Sequence, residues 1–395
     1  MNVEMLKTEL YKIFSRKAVW LALVVFLALF SLLQMQFRDT VGIQYTLKPV
    51  RAALETAAGR EELRAFVRGK GYACGADDLM PFLPQEVRDY IEQYRDSERV
   101  YRTLRGNLAH ALNNFFERTD ARAAYIEGLA EDTDAPGQQK ARAKLLRAYR
   151  ETPVEIGLNV EPGANALIDV NHAAVFPGMI MLVILVGLSG VYADEYTSGT
   201  QAALLTARKG RLGVFFAKLL ASGIFVAVVV TCMEGAALLV CAVCYRGPDV
   251  SLSAASTYGL SLTLYGGTVG GFCLRQAAGT LLAGWTLGSV VLCLSAYSKN
   301  ALIPFFAAGI FYGGTALYVH TIPFPPHLSA IWSLPGELSL FMLQTQVELV
   351  AAGRYTNVFG LLVPTLTLNV LCNVLLAALC LTLCCRAYIR KQVKD

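Results

Sequence analysis

Asp194, Glu195, Arg208, Lys209 and Arg211 stand between two stretches too apolar to rest in water, in the string ADEYTSGTQAALLTARKGRLG. Carboxylates and cations held at a membrane surface in this way can pair with one another or grip a soluble partner, and the three basic residues assign that surface to the cytoplasm. Ser198, followed three residues later by Gln201, has the spacing of a helix start, which predicts a short capped helix against the membrane face. Glu234 is the second candidate. It lies sixteen residues past Lys218, about 24 Å along a helix, and so falls inside the hydrocarbon. A carboxylate there costs about 2.5–3.5 kcal/mol and must face water or a partner. Two readings stay open for it: a wall of a substrate path, or a protonated or hydrogen-bonded contact between helices. Lys218 is expected to snorkel to the inner surface.

The other reactive residue types form no catalytic or metal-binding set. His172, His320 and His327 fall at span ends, without an HExxH pair or a pair of aspartates, and His110 is alone. Nine of the ten cysteines lie in or beside apolar runs, where a free thiol packs as a small hydrophobe, and Cys74 has no partner in the polar block. The Cys241-x-x-Cys244 pair has neither a second pair nor a nearby histidine, so packing is expected rather than metal. Cys384-Cys385 beside Arg386 could accept a palmitoyl chain. Gly69-Lys70-Gly71 lacks the spacing of a phosphate loop. No enzyme activity, bound metal or cofactor is expected of this chain.

The elements that must position these residues are set by composition. Hydrophobic residues make up 55 % and charged residues 16 % of the 395, against a usual charged share of about 25 %. Of the 35 Lys/Arg and 30 Asp/Glu, 19 and 21 lie between positions 38 and 170, so the polar block is slightly acidic and the apolar remainder basic. Cations flanking apolar runs are membrane anchors, which argues against nucleic-acid binding.

The expected fold is an all-α polytopic membrane protein of six transmembrane helices, with an N-terminal amphipathic interfacial helix and a mainly helical extracellular domain. Residues 1–17 place Val3, Leu6, Leu10, Ile13 and Phe14 on one face at helical spacing, with Glu4, Lys7, Lys12 and Arg16 away from it. Spans are expected at 18–36, 172–193, 214–245, 277–297, 301–319 and 361–385. Residues 37–171 form the extracellular block, with helices at 47–67, 85–116 and 138–150. Its Glu92, Arg95, Arg99, Arg102 and Arg105 recur at three- and four-residue steps, the pattern of a solvated face with local ion pairs. The cytoplasmic loop is 194–213. The extracellular pieces 246–276, re-entrant or interfacial at 258–274, and 320–360, with an amphipathic helix from Gly336, complete the outside. The basic tail 386–395 lies inside, so both termini are cytoplasmic.

The string Glu195-Tyr196-Thr197-Ser198-Gly199-Thr200, then Leu204-Leu205-Thr206, Arg208, Arg211 and Lys218, resembles the cytoplasmic loop of type-2 ABC transporter permeases. The order Phe176-Pro177-Gly178, Gly187-Leu188-Ser189, Glu195-Tyr196, with a large insert between the first two spans, is similar to the Gram-positive branch of that family. The resemblance implies a bacterial plasma-membrane exporter subunit that binds no nucleotide itself. Its partners would be membrane lipids, a cytoplasmic ABC ATPase dimer that uses ATP and Mg, and a second permease, identical or related. Carried over, the ATPase-coupling residues are Glu195, Tyr196, Gly199, Thr200, Leu204, Leu205 and Arg208, with the 1–17 helix beside them. Competing classes are an ion-coupled secondary transporter using Glu234 and Arg275, a receptor-like protein acting through its extracellular domain, and an intramembrane enzyme. A secondary transporter predicts inverted repeats, and the sequence shows none.

Overall fold

The computed structural model describes residues 3–41, 47–130, 136–160, 162–172, 175–199, 211–245, 247–257, 259–322, 328–346 and 353–390. In chain order the helices are α1 (Val3–Phe14), α2 (Lys17–Val41), α3 (Arg51–Ala58), α4 (Glu61–Gly69), α5 (Ala76–Leu79), α6 (Gln85–Glu92), α7 (Glu98–Gly128), α8 (Pro136–Glu151), α9 (Pro162–His172), α10 (Val175–Leu188), α11 (Ala193–Thr197), α12 (Arg211–Cys244), α13 (Val269–Tyr297), α14 (Leu302–Thr321), α15 (Leu334–Glu337), α16 (Leu340–Thr345) and α17 (Thr365–Arg390). One hairpin, β1 (Tyr355–Val358) and β2 (Leu361–Pro364), precedes α17.

Six helical stretches are long and apolar enough to cross a membrane: Lys17–Met35, Phe176–Thr197, Leu212–Cys244, Val269–Tyr297, Leu302–Thr321 and Thr365–Ile389. The α13 helix is their axis, packing against α10, α12, α14, α16 and α17. Small residues set the approach distances. A Cβ at Gly284 would lie 2.9 Å from Val226 Cγ1 and 3.0 Å from Ile184 Cδ1, and one at Gly187 would lie 2.3 Å from the Phe225 ring. Only hydrogen fits at these crossings, which brings α10, α12 and α13 together without polar side chains between them. The second stretch is 78 % buried, whereas the first, fifth and sixth are 11 %, 17 % and 17 % buried. Those three expose apolar faces suited to lipid or to a neighbouring subunit.

Helices α3 to α7 gather around a separate core. On α7, Val100, Leu104, Leu108, Leu112 and Phe116 repeat every four residues and are buried against Leu54, Leu63, Val67 and Val87. The opposite face carries Arg102 and Arg105 of the basic stripe, while Arg95 falls in the break before the helix. Arg102 meets Glu98 at 2.5 Å, Arg95 meets Glu92 at 3.4 Å, and Arg105 reaches Asp77. This domain stands at the far end of the spans from α1 and is clasped to the segment before α13. Arg122, 7 % exposed, donates to the Ser261 and Thr263 carbonyls, both at 2.8 Å. Its guanidinium lies over the Tyr149 ring, whose hydroxyl donates to the Leu262 carbonyl, and Arg118 donates to the Ser256 carbonyl.

Several boundaries differ from the sequence expectation. The fourth helix starts at Val269, not 277, because Thr268 Oγ1 caps it by accepting from Gly271 N at 3.2 Å. Residues 259–268 are non-helical and serve the domain clasp, so no span crosses there. The sixth helix starts at Thr365, not 361, since Leu361–Pro364 pairs with β1. The hairpin turns at Phe359 and Gly360, with φ of 50° and 90°, the two left-handed positions that a two-residue turn needs. It also makes the fold mostly helical rather than all-α. The expected helix from Gly336 divides into α15 and α16, and every residue of α16 is buried, so of headgroups and other spans, the two covers its apolar face allowed, the spans supply it. The domain helices expected at 47–67 and 85–116 are each broken, by Gly59-Arg60 and by residues 93–97.

Candidate functional site

The site lies at the face that holds α1. The second stretch stops being helical at Ser189, turns through residue 192, and resumes as α11. Ser295 of α13 meets the freed backbone groups: its hydroxyl accepts from Tyr192 N (3.2 Å) and Ala193 N (3.1 Å) and donates to the Ser189 carbonyl (2.8 Å). That break aims Glu195 at α1. Gly199, at φ 69°, ends α11 in the left-handed conformation that glycine adopts readily.

Four charges then close on one another. Lys218 of α12 is 0 % exposed, and its Nζ donates to Glu195 Oε1 at 2.6 Å, Glu9 Oε2 at 2.7 Å and the Val191 carbonyl at 3.2 Å. The Nζ also lies 5.5 Å from the centre of the Tyr192 ring. Lys12 donates to Glu9 Oε1 at 2.7 Å and Glu195 Oε1 at 3.1 Å. Two carboxylates and two ammonium groups thus neutralise each other and join α1, α11 and α12. A second tie runs beside them, with Arg16 donating to Asp194 Oδ2 (2.8 Å) and the Gly187 carbonyl (3.0 Å). Burial pushes the Glu9 carboxyl up, but the Lys218 charge and the hydrogen bonds from Lys12 and Lys218 outweigh it and hold the group below its ordinary value. Burial likewise works against the Lys12 ammonium, and Glu9 and then Glu195 more than offset it, so its pKa is raised. A groove of about 440 Å³ opens beside the cluster, lined by Tyr11, Lys12, Arg16, Asp194, Glu195 and Ser198 among others.

Of the residues singled out in the sequence, Glu195 is in the cluster and Tyr196 is beside it, 38 % exposed, with Lys299 over its ring at 5.2 Å. Gly199 is at the helix end. Thr200, Leu204, Leu205 and Arg208 lie outside the described residues. Ser198 closes α11, its Oγ 3.4 Å from the Glu195 carbonyl, and the helix expected to start there lies outside the described residues. Lys218 does not snorkel: two carboxylates within 2.7 Å hold it inside. Glu9 was not among the expected residues. Its signal was a carboxylate beside the apolar stripe of the first helix, one turn from Leu6 and Ile13 and adjacent to Leu10, too close to the membrane to stay solvated.

Glu234 is elsewhere, 7 % exposed on α12, accepting from Thr280 Oγ1 of α13 at 3.1 Å. The geometry there is a contact between helices. Cys241 and Cys244 are both buried and free, and no group of three or more His, Cys, Asp or Glu among the described residues could hold a metal ion. No family model, curated protein or solved structure matches the chain.

Proposed function

We propose that this chain is the permease subunit of a bacterial ABC transporter, an exporter of the plasma membrane, worked by a separate cytoplasmic ATPase that uses ATP and Mg. The observation that supports this reading most is the closed cluster of Glu9, Lys12, Glu195 and Lys218. A soluble motor can move spans only through a rigid element attached to them. The cluster makes such an element from α1, α11 and α12, joining the first helix to the two elements that flank residues 200–210 in sequence. In this reading the α1 face is cytoplasmic, the ATPase seats on the 195–208 loop and the neighbouring groove, and the domain of α3 to α8 is extracellular. A second permease, identical or related, completes the transporter through the lipid-exposed spans.

The test is purification of the tagged chain in mild detergent, with mass spectrometry and an ATPase assay of what accompanies it. The expected result is a stoichiometric ATP-binding subunit that is lost when residues 195–208 are altered. Purification of the chain alone, under conditions that preserve complexes, would overturn the reading.

A further inference from the structure

The α8 helix turns Ala141, Leu145 and Tyr149 inward, the last two packed with Tyr355 of β1 and with Leu264. Its other face is basic. From Gln139 to Arg150 the chain carries five cations and no acid, inside a polar block that is slightly acidic as a whole. Arg142 is engaged within the fold, where it donates to the Gly128 carbonyl. The other four, Lys140, Lys144, Arg147 and Arg150, follow at steps of four, three and three residues and are all exposed, so they share the outward face of the helix. Of these four, only Arg147 meets an acid among the described residues, Glu151 at 2.6 Å.

Two spans set the height of this face. Arg386 marks the α1 end of the sixth span, and a hydrocarbon core of about 30 Å takes about 20 helical residues, which puts Thr365 at the opposite edge. Lys144 Nζ donates to the Leu362 carbonyl at 2.7 Å, three strand residues from Thr365 and so at most about 10 Å above that edge. The headgroup layer fills about the first 5–8 Å, and charges act through water over about 8 Å more. On the fifth span, Tyr318 lies sixteen residues past Leu302, about 24 Å along α14, and its hydroxyl donates to the Trp332 carbonyl. The exposed Ile331 and Trp332 therefore sit near the same edge. Ser329, three residues before Trp332, ties them to the hairpin by donating to the Tyr355 carbonyl at 2.9 Å. The hairpin itself ends in Phe359, fully exposed, with Leu361 exposed beside it. An acidic protein surface would match the cations and leave these apolar side chains in water. A leaflet with anionic headgroups matches both, because aromatic and aliphatic groups enter the interface where cations reach phosphate. We propose that α8 and the hairpin bind anionic lipid of the leaflet on the domain face, the hairpin tip entering the interface and Lys140, Lys144, Arg147 and Arg150 holding headgroup phosphates. The site does not depend on the permease reading. It gives the domain a hold that varies with lipid charge, beside the fixed clasp of Arg118 and Arg122.

The test uses the full chain in lipid nanodiscs without any ATPase. Trp20→Phe, Trp285→Phe and Trp332→Phe remove the three native indoles, and Phe359→Trp places one at the exposed tip. Lipid with a nitroxide on its headgroup should quench that indole more than lipid brominated at mid-chain. In the unmodified chain, hydrogen exchange of residues 139–151 should slow when phosphatidylglycerol replaces part of the phosphatidylcholine. Salt of about 1 M, where the screening length falls to about 3 Å, should reverse the slowing. Lys140→Gln with Arg147→Gln and Arg150→Gln should abolish it, while exchange in α3 to α7 stays as it was. Lys144 is spared in this variant because it also pins the hairpin. An unquenched tip would put the hairpin in water, assign the cations to an acidic soluble partner and overturn the site. Exchange at 139–151 that ignores lipid charge, or that still responds to it in the triple variant, would overturn the site whatever the tip does. Neither result bears on the ATPase purification, so the two ideas fall separately.

Discussion

The two ends of the span bundle are fastened in opposite ways. At the α1 face, four full charges meet, Glu9, Glu195 and Lys218 buried and Lys12 at the surface, and every one is opposed by a charge. At the domain face, Arg118 and Arg122 grip neutral carbonyls of an irregular segment, with the Tyr149 ring beneath Arg122. The first fastening fails badly when one member is lost, because the others remain buried and uncompensated. The second fails less steeply, since the groups left unpaired in the buried Ser256 and Thr263 are neutral carbonyls rather than charges. The α1 face is thus locked together as one unit, and the domain face holds an irregular connection in shape.

The largest expected effect follows from breaking the charged end. Lys218→Met leaves two buried carboxylates with Lys12 alone and should cost about 3–5 kcal/mol, read as a fall in thermal unfolding temperature in detergent. Adding Glu9→Gln to it should recover part of the loss; a double variant as unstable as the two losses summed would mean that the charges are not coupled. At the domain face, Arg122→Met removes hydrogen bonds from a charged donor, each worth about 1.5–3 kcal/mol. Hydrogen exchange should quicken across residues 256–268 while α1 and α11 stay protected. Equal loosening at both ends would erase the distinction.

The smallest effect belongs to a network wholly inside the domain. Asp120 accepts from Arg68, Arg64 and Tyr72 at 2.6–3.2 Å. The hydrogen bond from Arg68, against the opposing pull of burial and with help from Arg64 and Tyr72, holds its carboxyl well below the usual carboxylate range. A depressed carboxyl contributes stability above its ordinary pKa of 3.8 and loses it as pH falls through the lower folded value. Asp120→Asn should therefore lower the unfolding temperature at neutral pH by less than the other variants and flatten the acid end of the stability profile. A wild-type profile already flat below pH 4 would contradict this.

The spans were legible because an apolar run of about 20 residues has few other uses, and their ends were marked by residues such as Arg38, Lys299 and Arg386. The site was half legible. Glu195 stood out as an acid at a span end, but the sequence carries no local sign that Lys218 turns inward, since its partner Glu9 is 209 residues away. The hairpin was hidden for a different reason: Leu361-Leu362-Val363 continues the hydropathy of the helix behind it, and only Gly360 and Pro364 punctuate the run. In the same way α16 reads as an amphipathic helix whose apolar face could meet headgroups or other spans, until Gln344 is placed. Its amide donates to the Pro177 carbonyl at 3.2 Å and its oxygen accepts from Tyr312 at 2.8 Å, both inside the bundle. Polar residues that pair across helices look the same in one dimension as polar residues that face water.

The separation between Glu9 and Lys218 also fixes an order of events during synthesis. At about 5–20 residues per second, the 209 residues between them take about 10–40 s to make. For that interval α1 exists without Lys218, as a helix with an apolar stripe whose Glu9 has Lys12 of its own helix as a counter-charge. It can settle only after the third span has entered the membrane, so the docking of the first helix reports that the first half of the bundle has been assembled.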